Sequence, residues 1–210
     1  MGKGLRVLVG VVTTTLVMLY PLAIWFGLTH FSARTVGLWI LALLVPSALY
    51  RFRKARREDV LAVLRVPLAV AVVVGLGVLT DDARFVLAMP VLVNAVLLVT
   101  FASSLRGVPM IERFARMQEP ELSDAQRAHC RQVTWAWVAF FAVNGAIAAL
   151  LALFASRFWW AAYNGGIAYG LMGVLFAGEY VLRQYRFRKY GDGLHDRLLS
   201  RILPPRGDEA

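Results

Sequence analysis

The 210-residue chain is poor in the residues that most enzymes and disulfide-stabilised domains use. Cys130 is its one cysteine, so no disulfide can form within the chain. Its three histidines, His30, His129 and His195, lie outside the long apolar runs, and none has the spacing of a metal or haem ligand set. GxSxG, P-loop and GxGxxG motifs are also missing. The sequence predicts no catalytic residue, no cofactor and no metal site.

Acidic residues are scarce as well, with 13 against 23 basic ones and a net charge of +10. The basic residues stand in short clusters between long apolar runs, which is typical of a membrane protein rather than a nucleic-acid-binding one. Hydrophobic residues make up 59% of the chain and the mean hydropathy is +0.61, above the usual share of about 45–50% in soluble domains. We expect membrane lipids as surroundings and no nucleic acid as partner.

Six apolar runs approach or exceed the roughly 17–20 residues that a helix needs to cross a bilayer core. The second and fourth runs are short and contain Pro46 and Pro90, which predict kinks. An all-α polytopic bundle of about six transmembrane helices is therefore expected, as a single domain covering residues 1–210. The predicted spans are residues 7–29, 35–50, 60–80, 85–101, 134–156 and 159–182.

The distribution of basic residues predicts the orientation of these spans. Nineteen of the 23 lie in the N-terminus, the 51–59 connection, the 102–133 loop and the 183–210 tail. Lys and Arg are retained on the cytoplasmic side during insertion, so both termini are predicted to be cytoplasmic. Arginine far outnumbers lysine, which favours a bacterial source and hence the cell inner membrane.

The 102–133 loop is predicted to be a cytosolic, interfacial segment. Pro109 suits the first turn of a short helix, which would carry Glu112 and Arg113 beside an apolar stripe. Ser123 and Gln126 form a capping-box pattern, so the fifth span should begin in the cytosol near Asp124. The basic 183–210 tail contains an amphipathic stretch that is expected to lie on the membrane surface.

Two ionisable residues lie inside the predicted spans, where a charge is costly. Arg65 is deep enough either to snorkel or to face the bundle interior. Glu179 stands four residues before Arg183, a spacing that favours a local ion pair. The alternative hypothesis is that Glu179 and Arg65 pair between helices and shape a polar pocket.

Uncharged polar and aromatic residues also mark the spans. Asn94, Asn144 and Asn164 are candidates for hydrogen bonds between helices. Tryptophans and a tyrosine near the span ends are predicted to be interfacial anchors, namely Trp135, Trp137, Trp159, Trp160 and Tyr163.

Three segments carry a resemblance to known families: SLRGVPMIERFARMQEP from Ser104, TWAWVAFFAVNG from Thr134, and WAAYNGGIAYGLMGVLFAGEYVLR from Trp160. They resemble an uncharacterised family of bacterial inner-membrane proteins encoded in aryl polyene and xanthomonadin-type gene clusters, beside acyl carrier protein and ketosynthase genes. More distantly they resemble the intracellular septation protein A family. The resemblance covers roughly the C-terminal half and implies a link to polyene-lipid or envelope biogenesis. It singles out Pro109, Glu112, Arg113, Trp135, Asn144, Trp160, Asn164 and Glu179.

Three functions are compatible with these patterns. The first is a non-enzymatic membrane component that docks acyl carrier protein-dependent enzymes or envelope proteins through the 102–133 loop. The second is a small transporter or flippase for a lipid-linked product, supported by Arg65 and Glu179. The third is a membrane enzyme acting on acyl or lipid substrates. Assembly into a homo-oligomer is an alternative to a monomer in each case.

Overall fold

A computed structural model describes residues 19–54, 60–117 and 119–187, with the backbone alone for 47, 50–54 and 60–67. All regular structure in these ranges is helical. Residues 7–18 of the first predicted span and residues 188–210 of the predicted tail lie outside the described residues. The predicted all-α class is therefore confirmed for the part of the chain that the structure covers.

The elements follow the predicted runs closely. Residues 19–30 form α1, and the remaining helices follow in chain order. They are α2 (Ala33–Lys54), α3 (Val60–Thr80), α4 (Ala83–Leu87), α5 (Met89–Ser104), α6 (Met110–Arg116), α7 (Asp124–Phe154), α8 (Arg157–Ala162) and α9 (Ala168–Phe187). A five-residue π-helical turn, Tyr163–Ile167, joins α8 to α9 without a break.

Three continuous helical stretches in the described residues are long and apolar enough to cross a membrane: Ala83–Ser104, Asp124–Phe154 and Arg157–Phe187. The described residues also include two shorter apolar helical segments, Ala33–Pro46 and Leu68–Thr80. Three is fewer than the six spans expected from the sequence. The helices α2 and α3 have 22 and 21 residues, but the structure gives the backbone alone for 47, 50–54 and 60–67. Only their shorter segments therefore enter this count.

The predicted kink at Pro90 is a true helix break. The helix α4 ends at Ala88, and α5 restarts at once with Pro90 in its first turn. Proline has no backbone N–H, and a first turn is the place where that donor is not needed. The result is a helical stretch, Ala83–Ser104, that is interrupted only at Ala88.

Hydrogen bonds between residues far apart in the sequence identify the two ends of the bundle. At one end Arg34 donates its backbone N–H to Asp81 at 2.7 Å, and Arg157 donates to the carbonyl of Leu28. At the other end, which we call the basic end, Arg186 of α9 reaches the first turns of α7. Helices α5 and α7 pack along one another, as do α2 and α3.

Large apolar side chains are exposed on the sides of the helices throughout the described residues. Leu43, Leu79, Phe154 and Val174 are each more than 70% exposed. A soluble protein rarely leaves so many large apolar groups in water. This surface is the one expected of helices that face lipid.

Candidate functional site

A polar network lies inside the bundle and joins three helices. Asn144 of α7 donates its side-chain amide to Asn94 of α5 at 3.0 Å. Tyr163, in the π-helical turn, donates its hydroxyl to the amide oxygen of Asn144 at 2.8 Å. Asn94 in turn donates to the carbonyl of Pro90 at 2.8 Å. Both asparagines are buried, so the network satisfies groups that would otherwise be costly in an apolar interior.

Asn144 thus makes the interhelical hydrogen bonds expected of it, whereas Asn164 does not take that role. The amide of Asn164 donates to the carbonyl of Trp160 at 2.8 Å, one turn earlier in the same helical stretch. Trp160 itself is fully buried and donates its indole N–H to the carbonyl of Leu87 at 2.9 Å. The prediction that Trp160 is an interfacial anchor is wrong, because the ring faces the core rather than the helix surface.

Trp137 is a second correction of the same kind. It is 4% exposed and packs in an aromatic cluster with Phe101, Phe141 and Phe176. Trp135 and Trp159 are 56% and 60% exposed, in keeping with the predicted anchors. Hydropathy shows that a tryptophan lies near a span end, but only packing decides which way it points.

The 102–133 loop is an ordered segment that folds back onto α7. Pro109 is buried and occupies the N-cap position of α6. Ser104 accepts a hydrogen bond from the backbone N–H of Met110 at 2.9 Å, and Thr134 accepts one from Ile111 at 3.3 Å. These contacts tie the start of α6 to the end of α5 and to the first half of α7.

The predicted candidates on this segment play different parts. Glu112 is 6% exposed and receives two hydrogen bonds from Arg116, the shorter at 2.6 Å. Arg113 is exposed, and its Nε donates to the carbonyl of Val108 at 3.1 Å. The apolar stripe of the predicted helix is split: Ile111 packs into the aromatic cluster, while Phe114 and Met117 are 54% and 81% exposed.

The predicted helix start at Ser123 is confirmed. The side chain of Ser123 accepts from the backbone of Gln126 at 3.3 Å, and the side chain of Gln126 accepts from the backbone of Ser123 at 2.8 Å. This capping box fixes the first turn of α7. Since α7 has 31 residues, it is about 46 Å long and exceeds a bilayer core of about 30 Å.

Charged and polar side chains meet where α7 and α9 converge at the basic end. Glu179 lies 3.6 Å from Arg183, which is the local ion pair expected from their spacing. It also lies 3.5 Å from His129, which is only 3% exposed. Arg186 reaches His129 at 3.4 Å and donates to Gln132 at 2.8 Å.

The side chain of Arg65 lies outside the described residues, so its pairing with Glu179 stays a prediction. Sequence reasoning missed His129 and Gln132 as members of this cluster. Both stand in the arginine-rich stretch 127–132, where no apolar pattern signals burial. No group of His, Cys, Asp and Glu side chains within the described residues is suited to hold a metal ion.

The structure has two notable cavities among the described residues. A cavity of about 700 Å³ between α1, α2 and α5 has a lining that is almost wholly aliphatic and aromatic. A smaller one of about 340 Å³ lies between α7 and α9 beside His129 and Glu179. Only the smaller cavity combines apolar walls with charged groups.

No protein-family model, curated protein or solved structure matches the chain significantly. The resemblance to the aryl polyene-cluster and septation protein A families is therefore carried by the sequence segments alone.

Proposed function

We propose that the chain is a multi-pass protein of a bacterial inner membrane, with six transmembrane helices and both termini in the cytoplasm. Three apolar helical stretches of sufficient length support a membrane location. The pairing of α2 with α3 adds two further helices to the same bundle, and residues 19–30 form the end of another. The concentration of arginine at the basic end supports its placement in the cytoplasm.

Within that membrane the protein serves as a non-enzymatic docking component for polyene-lipid or envelope biogenesis. The observation that carries this function is the exposed surface of α6. Phe114 and Met117 project from α6 and its C-terminal cap, which the hydrogen bond from Ile111 to Thr134 holds against α7. An apolar patch on a fixed support is the usual core of a protein-protein contact.

The charge of this surface indicates the kind of partner. Arg106 and Arg113 are exposed next to the apolar side chains of Val108 and Phe114. The hydrogen bond from Arg113 to the carbonyl of Val108 restrains the guanidinium and so lowers the entropy lost on binding. An acidic partner is therefore favoured, and the resemblance suggests acyl carrier protein or an enzyme that works with it.

A transporter or flippase for a lipid-linked product is the second candidate function. The observation in its favour is the cavity between α7 and α9, which combines apolar walls with Glu179 and His129. Carriers for charged substrates need ionisable groups of this kind facing a cavity. The two functions differ in what happens to product when the gene is deleted.

The docking function is tested by binding of purified acyl carrier protein to the full chain in nanodiscs. An Arg113→Glu, Phe114→Ser variant should bind at least tenfold more weakly. Arg127→Glu is the matched control, because Arg127 is 50% exposed at the same end but lies on α7. Equal binding by all three proteins would rule out α6 as the docking surface.

Gene deletion separates the two candidates. Loss of product together with release of its soluble enzymes from the membrane supports docking. Product that is made but stays in the inner membrane supports transport instead, and the docking proposal would then be given up.

A further inference from the structure

The cavity between α7 and α9 is an open groove with a polar end and an apolar wall. His129, Gln132 and Glu179 form the polar end. The other six of its nine lining residues are apolar, namely Val133, Ala136, Val174, Leu175, Gly178 and Leu182. A lining of this composition fits a molecule that is itself amphiphilic.

His129 presents a buried polar atom that has no hydrogen-bond partner within the described residues. Its Nδ1 lies 3.4 Å from Nη1 of Arg186. A guanidinium can only donate, so Nδ1 is the acceptor and the neutral ring carries its proton on Nε2. That Nε2 atom makes no hydrogen bond within the described residues, although Oε1 of Glu179 lies 3.5 Å away. It has almost no accessible surface, so a ligand oxygen in the groove would satisfy it after a small shift of the side chains around it.

The charges around the polar end leave a positive surplus. Arg183 stands beside the carboxylate of Glu179 and Arg186 beside His129, and neither arginine is among the residues that line the groove. Arg183 lies 3.6 Å from this carboxylate, whereas Arg186 has no acidic partner among the ion pairs of the described residues. Gln132 accepts from Arg186 at 2.8 Å and holds its guanidinium beside the groove. An anion is therefore attracted to this end.

We propose that the groove binds an anionic phospholipid, with its phosphate on Arg186 and His129 and one acyl chain along the apolar wall. Free phosphate would use the same polar groups but leave the apolar wall of the groove empty. A zwitterionic lipid would bring a cationic group next to Arg183 and lose much of the attraction. This site lies on α7 and α9, away from the docking surface of α6, and does not depend on the proposed docking function.

Native mass spectrometry of the full chain in detergent tests the proposal with lipids that share the same acyl chains. Dioleoyl phosphatidylglycerol should bind about tenfold more tightly than dioleoyl phosphatidylcholine, and inorganic phosphate should show no saturable binding. Arg186→Gln should lower the affinity for the anionic lipid about five- to tenfold, consistent with about 1 kcal/mol for an arginine near a charged surface. Arg127→Gln is the control and should not change it.

A steric pair tests the groove without altering charge. A Cβ atom at Gly178 would meet no atom within 4 Å, and the same holds for Gly173, which does not line the groove. Gly178→Leu should therefore fill the groove and reduce lipid binding at least fivefold, while Gly173→Leu leaves it unchanged. The added Cβ atoms meet no neighbour and both glycines are exposed, so both proteins should fold.

Glu179→Gln should change the affinity for anionic lipid in the opposite direction to Arg186→Gln. Removal of the carboxylate also frees Arg183 to attract the phosphate, so anionic lipid should bind more tightly. Equal binding of the two lipids, saturable binding of inorganic phosphate alone, or no effect of Gly178→Leu would each overturn the proposal. Weaker binding by Glu179→Gln would do so as well.

Discussion

The amide of Asn144 donates to Asn94 across 50 positions of the chain, and the hydroxyl of Tyr163 donates to the same Asn144. One side chain thus joins α5, α7 and the π-helical turn after α8. A π turn shifts the register of a helix, and such turns occur mostly where a side chain must be placed for a specific role. Here the turn begins at Tyr163, whose hydroxyl completes the network.

This network should contribute measurably to stability. Asn144→Ala leaves Asn94 and Tyr163 with an unsatisfied polar group each, and we expect a loss of about 1–2 kcal/mol in the free energy of unfolding. Tyr163→Phe removes one hydrogen bond and should cost about 0.6 kcal/mol. Reversible unfolding in mixed micelles measures both.

The double variant shows whether the two residues interact. If they do, the combined loss will be smaller than the sum of the single losses, because Asn144→Ala already removes the acceptor of Tyr163. Strict additivity would mean that the hydrogen bond contributes nothing to stability.

The burial of Trp160 predicts that its substitution destabilises the protein more than the same substitution of an exposed tryptophan. Trp160→Phe removes the hydrogen bond to Leu87 and leaves a small cavity in the core, so we expect a loss of about 2–3 kcal/mol. Trp159→Phe is the matched control, since Trp159 is 60% exposed, and it should cost less than about 0.5 kcal/mol. The same unfolding assay compares them, and equal losses would contradict the buried position of Trp160.

A close approach between α2 and α3 predicts a third effect. A Cβ atom at Gly37 would lie 2.6 Å from Cγ2 of Val78, which is nearer than packed atoms come. Valine is stiff about its first side-chain torsion, so the helices must move apart. Gly37→Ala should destabilise the protein by about 1–3 kcal/mol.

Gly75→Ala serves as the control for this substitution. Gly75 lies on α3 with no atom within 4 Å of its added Cβ. The change should leave stability unaltered or raise it by about 0.5–1 kcal/mol, because alanine is the better helix former. A destabilised Gly75→Ala protein would show that α3 is packed differently from the structure described above.

Much of the helical layout follows from local sequence rules. The capping box at Ser123 fixes the start of α7, and Pro90 accounts for the break at Ala88. Both signals are local, because a cap or a missing N–H acts within one turn. The apolar run 60–80 matches α3, whereas α7 begins at Asp124, ten residues before the predicted span 134–156, so its start follows from the capping box and not from hydropathy.

Side-chain orientation could not be predicted in the same way. The sequence predicts interfacial anchors at Trp137 and Trp160, but both are core residues. The direction of each ring depends on how its helix is rotated against its neighbours, which hydropathy does not show. Asn164 bonds within its own helical stretch for the same reason. His129 is buried because α9 packs beside it. Its contact there, Arg186, lies 57 residues later in the chain, so the sequence around His129 gives no signal of burial.

The proposed orientation gives a fourth prediction, which concerns the two ends of the bundle. Ala125 and Ala128 are exposed on the first turns of α7, while Arg84 and Phe158 are exposed at the opposite end. In a Cys130→Ala background, single cysteines at these positions should react with a membrane-impermeant maleimide from opposite sides. In intact spheroplasts, Arg84→Cys and Phe158→Cys should be labelled and Ala125→Cys and Ala128→Cys should be protected until the membrane is opened.

Labelling of position 125 or 128 in sealed spheroplasts would place the basic end outside, and the six-span arrangement with cytoplasmic termini would then have to be abandoned. Positions 84 and 128 should differ in exposure because the chain crosses the membrane once between them, and the second position at each end repeats the measurement of the first.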